Sequence, residues 1–273
     1  MSKIINYLQD TGLSDESLDF LERSKMSEYD AIEYSKRLNI IMGTDYFMQH
    51  IVNTTQELSS FETVLLPEFK SDSEAANKLL QLNFKRKSIR EYSESNINFD
   101  EFTNLLKLSY SITKKIDGYP PSRNIASGGG LYPIDLYVVN RKVTGLKLGV
   151  HSYNIYNASL DLVIESETLD QLDEQINKAF FSDQKIDMDY KNAAAYIILG
   201  GVLNRVCFKY LDRGVRFALI DAGAIIHSIY LASTALNIGS CGVGSYADDM
   251  VSELIGYKTN IQTVLGVVLI GKI

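Results

Sequence analysis

The chain has 273 residues, of which 45% are hydrophobic and 22% are charged, a composition typical of a globular protein with a sizeable core. Its formal net charge of -7 disfavours a general nucleic-acid-binding surface. Two distant cysteines and three distant histidines form neither a metal-ligand spacing nor a disulfide framework. We therefore expect a cytoplasmic protein with no metal site, no signal peptide and no membrane-spanning segment.

The first 80 residues differ from the rest, because they contain little glycine and carry apolar residues at helical spacing over 15–22 and 29–38. Ser14 is a suitable N-cap for the first of these helices. Strand-like alternation first appears at residues 61–66. The pattern predicts a helical N-terminal extension, residues 1–80, which packs against the main domain or a partner. The main domain is predicted to span residues 81–273.

A dense basic run follows at residues 84–92. Arg86, Ser88 and Arg90 alternate within it, so that in an extended segment their side chains project to one side. Two guanidinium groups and a hydroxyl on one side suit a phosphate or a ring carbonyl. The alternative is a solvated surface. A helix is predicted next over residues 98–109, with Asn98 or Asp100 as its cap.

The sequence Ser-Gly-Gly-Gly-Leu-Tyr-Pro at residues 127–133 stands immediately before a strand-like run. Three consecutive glycines have no Cβ atoms, so a flat ligand could approach the backbone amides closely. The spacing matches neither a phosphate-binding P-loop nor a dinucleotide-binding fingerprint. A tight turn without a ligand is the alternative at this point.

The second half of the chain alternates between strand-like and helix-like segments. A continuous apolar run predicts a buried central strand, and a long helix rich in small residues predicts burial and a dimer interface. The predicted fold class is α+β, with strands at 136–139, 146–153, 160–164, 193–203 and 264–270, helices at 168–181, 217–236 and 248–255, and a second glycine loop at 239–246.

These motifs, in this order, resemble the FMN-dependent nitroreductase superfamily, and in particular its SagB-type branch, the azoline dehydrogenases that modify peptides. The resemblance runs from about Lys85 to the C-terminus. It implies a mixed sheet surrounded by helices and a homodimer. The cofactor-binding residues that it implies are Arg86, Ser88, Arg90, Ser127, Gly128, Gly129, Gly130, Gly242, Val243, Gly244 and Lys272.

A further motif, Phe208-Lys209-Tyr210, resembles the Lys-Tyr pair of azoline oxidases, which ordinary nitroreductases lack. The resemblance implies that Lys209 and Tyr210 are catalytic; a surface lysine beside a core tyrosine is the alternative. The long helix departs from the family pattern Glu-Ala-Gly-His, so His227 is interpreted as a packing residue.

The resemblance therefore implies oxidation of thiazoline or oxazoline rings in a ribosomal peptide that a partner cyclodehydratase has first heterocyclised. Removing the acidic Cα proton needs a base, and a phenol serves near pH 7 only where a cation stabilises its anion. Because neighbours on a strand point to opposite faces, we expect a helix or bend at residues 208–210. The alternatives are a general NAD(P)H-dependent nitroreductase or quinone reductase, and a non-catalytic scaffold subunit.

Overall fold

The computed structural model describes residues 12–42, 44, 62–116, 119–181, 188–258 and 261–273. Its helices are α1 (Asp15–Arg23), α2 (Glu28–Met42), α3 (Glu74–Lys85), α4 (Phe99–Ser109), α5 (Leu169–Phe180), α6 (Asn204–Tyr210), α7 (Arg213–Leu236) and α8 (Asp248–Leu254). Its strands are β1 (Ile112–Ile116), β2 (Tyr119–Arg123), β3 (Ile134–Asn140), β4 (Gly149–Asn154), β5 (Ser159–Glu165), β6 (Ala195–Val202), β7 (Ile238–Val243) and β8 (Gln262–Lys272).

A six-stranded sheet in the order β5-β4-β3-β6-β8-β7 forms the centre of the described fold, and β1 and β2 form a separate hairpin. Every pairing within the large sheet is antiparallel, so its described part is not mixed in strand direction as the resemblance implied. The expected α+β architecture, a sheet with helices around it, is confirmed. The predicted central strand is β6, which lies between β3 and β8.

Helices cover both faces of the sheet and give the fold three layers. Alternate side chains of β3, β6 and β8 point to opposite faces, as the period of two in a strand requires. One face packs against α4 and α7, and the other packs against α5 and α8. Because both faces are covered, the central strand is apolar along its whole length and is buried at seven of its eight residues.

Local signals define where several helices begin. Ser14, Ser73 and Thr168 each accept a hydrogen bond from a backbone N–H in the first turn of the helix that follows. Asn98 and Glu101 form a reciprocal capping box at the start of α4, so Asn98 rather than Asp100 is the cap.

The first helix of the predicted extension packs on the main domain. Leu21 lies in a cluster with buried residues of α6 and α7, and the Ser14 amide donates to Asp212 at 2.8 Å. The Met26 amide donates to Asp248 at 2.8 Å, which ties the connection between α1 and α2 to α8. Helix α3 runs through the predicted boundary between residues 80 and 81.

Several predicted boundaries differ from the structure. The long helix begins at Arg213 rather than at residue 217. Residues 238–243 form β7 rather than a glycine loop, because the small residues there pair with β8. Residues 62–66 form no strand, and Phe61 lies outside the described residues.

The long helix α7 is not buried all round as predicted. Leu219, Ile220 and His227 are exposed, so the interpretation of His227 as a packing residue does not hold within the single chain. By length and composition alone, α7 is apolar enough to cross a membrane, although no such segment was expected. This is weak evidence for a membrane span, since a core helix of a soluble protein passes the same test.

Candidate active site

The glycine turn is compact and held by its own first residue. Gly128–Gly130 form one turn of 3-10 helix, in which the Gly130 amide donates to the Ser127 carbonyl at 3.0 Å. The Ser127 hydroxyl accepts from the Tyr132 amide at 2.9 Å. Gly129 and Gly130 adopt φ values of 66° and 67°, a left-handed conformation that glycine takes without strain.

The glycine turn lies against the Lys-Tyr pair. A Cβ atom added to Gly129 would meet the Tyr210 hydroxyl at 2.5 Å and the Lys209 ammonium at 3.1 Å. The hydroxyl oxygen and Nζ therefore lie within 5.6 Å of each other, the sum of these two distances. The structure thus brings Gly129, Lys209 and Tyr210 into one site.

The short helix α6 positions the pair. Lys209 and Tyr210 occupy its last turn, which confirms the expected helix at 208–210 and explains why neighbouring side chains can share a site. Tyr210 packs edge-to-face on Phe217 with ring centroids 5.0 Å apart. Phe217 also contacts the position where Gly128 would carry a Cβ, at 3.0 Å. One aromatic ring of α7 therefore supports both the turn and the tyrosine.

A second cluster gathers around Tyr230, a residue of α7 that sequence reasoning missed. Its hydroxyl lies 3.2 Å from the Ser88 hydroxyl and accepts from the Gly242 amide at 2.6 Å. The guanidinium of Arg86 stacks over the Tyr230 ring, 5.4 Å from its centroid. Tyr230 thus joins three of the residues predicted to bind the cofactor. Its place in a helix rich in small apolar residues gave no signal of this role.

The remaining predicted cofactor residues stand apart from these contacts. Arg90 is exposed, and its guanidinium forms no hydrogen bond or ion pair with the described residues. Lys272 pairs with Glu101 at 2.6 Å, so a contact with a phosphate would require breaking that ion pair. Val243 is the last residue of β7 and is buried, and Gly244 follows it as an exposed residue.

Sequence reasoning also missed the charges behind the glycine turn. Asp221 of α7 is 5% exposed, and burial raises its pKa, while a hydrogen bond with the Ser127 side chain and the charge of Arg123 act in the opposite direction. Arg123 donates to the Tyr110 hydroxyl and lies over the rings of Tyr110 and Tyr132. Burial raises the pKa of Tyr110 to about 12. The only signal in the sequence for this charged group was Asp221, which stands where the family pattern has a glutamate.

Comparison with known proteins identifies the family. The model of the nitroreductase family matches residues 84–272, most of the chain. The chain belongs to the nitroreductase family. A protein of Methanocaldococcus jannaschii described as a nitroreductase is 28% identical over 181 residues, which cover 66% of this chain and 85% of that protein.

Solved structures share the nitroreductase fold. A chain of the E. coli microcin synthetase McbBCD complex, solved with truncated pro-MccB17 bound, gives a TM-score of 0.71 at 18% identity and covers 95% of this chain and 94% of that one. A nitroreductase of Ralstonia eutropha gives a TM-score of 0.59 at 18% identity, covering 76% of this chain and 87% of that chain. At these identities the likeness shows the fold alone.

Nitroreductase family members typically bind FMN, and the two clusters offer groups suited to that cofactor. Around Tyr230, the guanidinium of Arg86 and the hydroxyl of Ser88 provide positive charge and hydrogen-bonding capacity for a phosphate. At the glycine turn, the Tyr210 hydroxyl and the Lys209 ammonium pack where Gly129 lacks a Cβ, whereas the Cβ position of Gly130 has open space around it, so a flat ring could approach the backbone there. In the described part of the chain, no group of three or more His, Cys, Asp or Glu side chains could hold a metal ion.

Proposed function

We propose that this nitroreductase-family protein is an FMN-dependent azoline dehydrogenase, which oxidises thiazoline or oxazoline rings of a heterocyclised precursor peptide to thiazole or oxazole. The observation that carries the proposal is the contact of Gly129 with both Lys209 and Tyr210. This contact combines a general base and a cation with a turn suited to a flat cofactor. The overall likeness to a microcin synthetase chain supports the proposal without deciding it.

The chemistry requires a proton and a hydride to leave adjacent carbons of the ring. Bound FMN would accept the hydride from Cβ, since hydride transfer is the chemistry that a flavin supplies. Tyr210 takes the Cα proton, because its hydroxyl lies at the turn where the ring would sit. Lys209 stabilises the resulting charge on the tyrosine oxygen. Arg86 and Ser88 would hold the phosphate end of the cofactor, and Tyr230, whose hydroxyl accepts from the Gly242 amide, helps to position them.

The positions of the two clusters support a homodimer in which both chains bind FMN. Phe217 and Tyr230 are 13 residues apart on α7, which corresponds to about 20 Å of helix. That separation is long for the ring and phosphate of a single FMN. The exposed residues Leu219, Ile220 and Ala224 lie between the two clusters on α7 and offer a face for a second copy. We infer that the glycine turn of one protomer and the Tyr230 cluster of its partner form each site.

The two alternatives make different demands on the site. A general NAD(P)H-dependent reductase needs no base beside the glycine turn, and a scaffold subunit needs neither base nor cofactor. Lys209 and Tyr210 both contact the glycine turn, because helix α6 lets these sequence neighbours share one site. Neither alternative function requires a lysine and a tyrosine at the turn. The proposed partners are a cyclodehydratase and the peptide that it has modified, in the cytoplasm. A structurally similar chain occurs in a synthetase complex with a bound pro-peptide.

The test is oxidation of a peptide that already carries azolines, read as a mass decrease of two hydrogens. Tyr210→Phe should slow the reaction by about 10²–10⁴-fold while FMN stays bound, as expected for loss of a general base. Lys209→Ala should lose a similar factor, and the double variant should be little slower than either single variant, because the pair acts as a unit.

Lys107→Ala is the matched control, because Lys107 is also an exposed lysine in the last turn of a helix. This variant should retain full activity. Full activity in Tyr210→Phe would remove the tyrosine from the mechanism. Reduction of quinones or nitroaromatics by NAD(P)H, without any peptide oxidation, would favour the general reductase instead. A colourless protein that takes up no FMN would favour the scaffold.

A further inference from the structure

A second cleft opens beside the glycine turn, and the proposed chemistry does not use it. Its volume is about 530 Å³, within the usual range for ligand sites. Residues of the turn, β3, the β4–β5 connection and α6 line it together, among them Gly130, Tyr132, Asp135, Tyr156 and Arg205.

The cleft begins one helical turn from the catalytic pair. Arg205 and Lys209 are four residues apart on α6, so both lie on the same side of the helix, about 6 Å apart along its axis. Gly130, which lines the cleft, is the neighbour of Gly129, which contacts the pair. A peptide held with one ring at Tyr210 would therefore reach the cleft about two extended residues further along its chain.

The charges of the cleft favour an uncharged occupant. Both terminal nitrogens of Arg205 donate to the carboxylate of Asp135, at 2.6 and 2.7 Å, so this guanidinium is already neutralised. Arg123 donates to the Tyr110 hydroxyl, and the carboxylate of Asp161 also lines the cleft. The two arginines that line the cleft, Arg123 and Arg205, are balanced in formal charge by its two aspartates, and a phosphate or carboxylate would meet an acidic side chain there.

Aromatic rings make the cleft suitable for a flat group. Tyr132 and Tyr156 lie around the guanidinium of Arg123, with ring centroids 4.3 and 5.9 Å from its Cζ atom. Tyr156 is 57% exposed although it is a large aromatic residue, so much of its ring is available for a ligand. Offset stacking on such a ring favours a planar unsaturated group over a puckered one.

We propose that this cleft binds an azole ring already formed in the same peptide, about two residues from the azoline being oxidised. The inference rests on the proposed function and extends it to substrate selection. An azole is planar and uncharged, whereas the azoline before oxidation is not aromatic. Each finished ring then improves binding of the next azoline, so that rings along one peptide are oxidised in order.

The experiment uses the full-length FMN-bound protein and two synthetic peptides. Both carry one azoline, and they differ only in having a thiazole or an alanine two residues away. The thiazole should lower KM by roughly 2- to 10-fold, as expected for one aromatic stacking contact, with kcat nearly unchanged. Tyr156→Ala should abolish the difference between the peptides, and Tyr156→Phe should retain it.

Phe99→Ala is the control, because Phe99 is an exposed aromatic residue that does not line the cleft. An equal preference for the thiazole in the wild type and in Tyr156→Ala would overturn the proposal. Calorimetric titration of the same peptides separates this failure from failure of the proposed function. If no peptide is oxidised, a thiazole preference in binding that Tyr156→Ala removes still supports the cleft, and equal affinities refute it.

Discussion

Replacing Gly129 by alanine perturbs the candidate site at a single atom. The new Cβ would lie 2.5 Å from the Tyr210 hydroxyl and 3.1 Å from the Lys209 ammonium, so the tyrosine oxygen must move by about 1 Å to reach an ordinary contact distance. The backbone keeps its left-handed φ of 66°, which costs an alanine about 1–2 kcal/mol. A displacement of 1 Å in a catalytic group can cost about 10²-fold in rate.

The expected result is a loss of about 10²-fold in kcat for azoline oxidation, with FMN content, measured by absorbance, close to that of the wild type. Gly256→Ala controls for backbone strain, because Gly256 has a φ of 79° and open space around its Cβ position. This control should lose similar stability and no activity. If Gly129→Ala oxidises azolines at the wild-type rate, the turn does not position Tyr210 and the reasoning fails.

Three further predictions concern the cofactor, the pH response and the N-terminal helix. Arg86→Ala should weaken FMN binding by roughly 10-fold or more, because it removes a charge-assisted contact. Tyr230→Phe should weaken FMN binding less, because the ring under the Arg86 guanidinium remains. Fluorescence titration of FMN measures both affinities, and an unchanged affinity in Arg86→Ala would assign the basic run to the solvated surface. Burial raises the pKa of Asp248 from 3.8 to about 6, above its unfolded value, so the wild type loses stability as the pH rises from about 4 to about 6. In thermal unfolding, Asp248→Asn should be more stable than the wild type at pH 8, and this difference should fade below pH 6. A difference in stability that stays constant with pH would contradict the prediction. Leu21→Ala should lower the free energy of unfolding by about 2–4 kcal/mol in urea, because Leu21 packs in the cluster with α6 and α7. The control Phe20→Ala removes a side chain that is 56% exposed and should change the free energy of unfolding by less than about 1 kcal/mol. Equal losses in the two variants would show that α1 does not pack as described.

The elements that sequence reasoning predicted correctly are those whose local pattern agrees with their tertiary setting. Helix α4 has both a capping box and an apolar face, and β6 is apolar along its length because helices cover both sides of the sheet. Where glycine suggested a loop, at residues 239–246, pairing with β8 decided the outcome, and local composition carries no information about that partner strand.

In the candidate site, too, some features could be predicted from the sequence and others could not. The glycine turn was predicted from its residues and the Lys-Tyr pair from a resemblance to azoline oxidases, and the structure places them in contact. The link that Tyr230 makes between Ser88 and Gly242 could not be predicted, since it joins residues 142 and 12 positions away from it in the chain. From the sequence alone, a tyrosine in an apolar helix is interpreted as a core residue, because the hydrogen-bond partners of its hydroxyl are not known.

The attachment of α6 bears on how related proteins can diverge. This helix follows β6 after a single residue and precedes α7 after two, and its buried residues are Val206 and Cys207, whereas the Lys209 side chain is exposed. The exposed Lys209 can therefore change with little effect on the sheet or on α7. A lineage can gain or lose this cation by one substitution at Lys209, while the packing of Tyr210 on Phe217 is inherited intact.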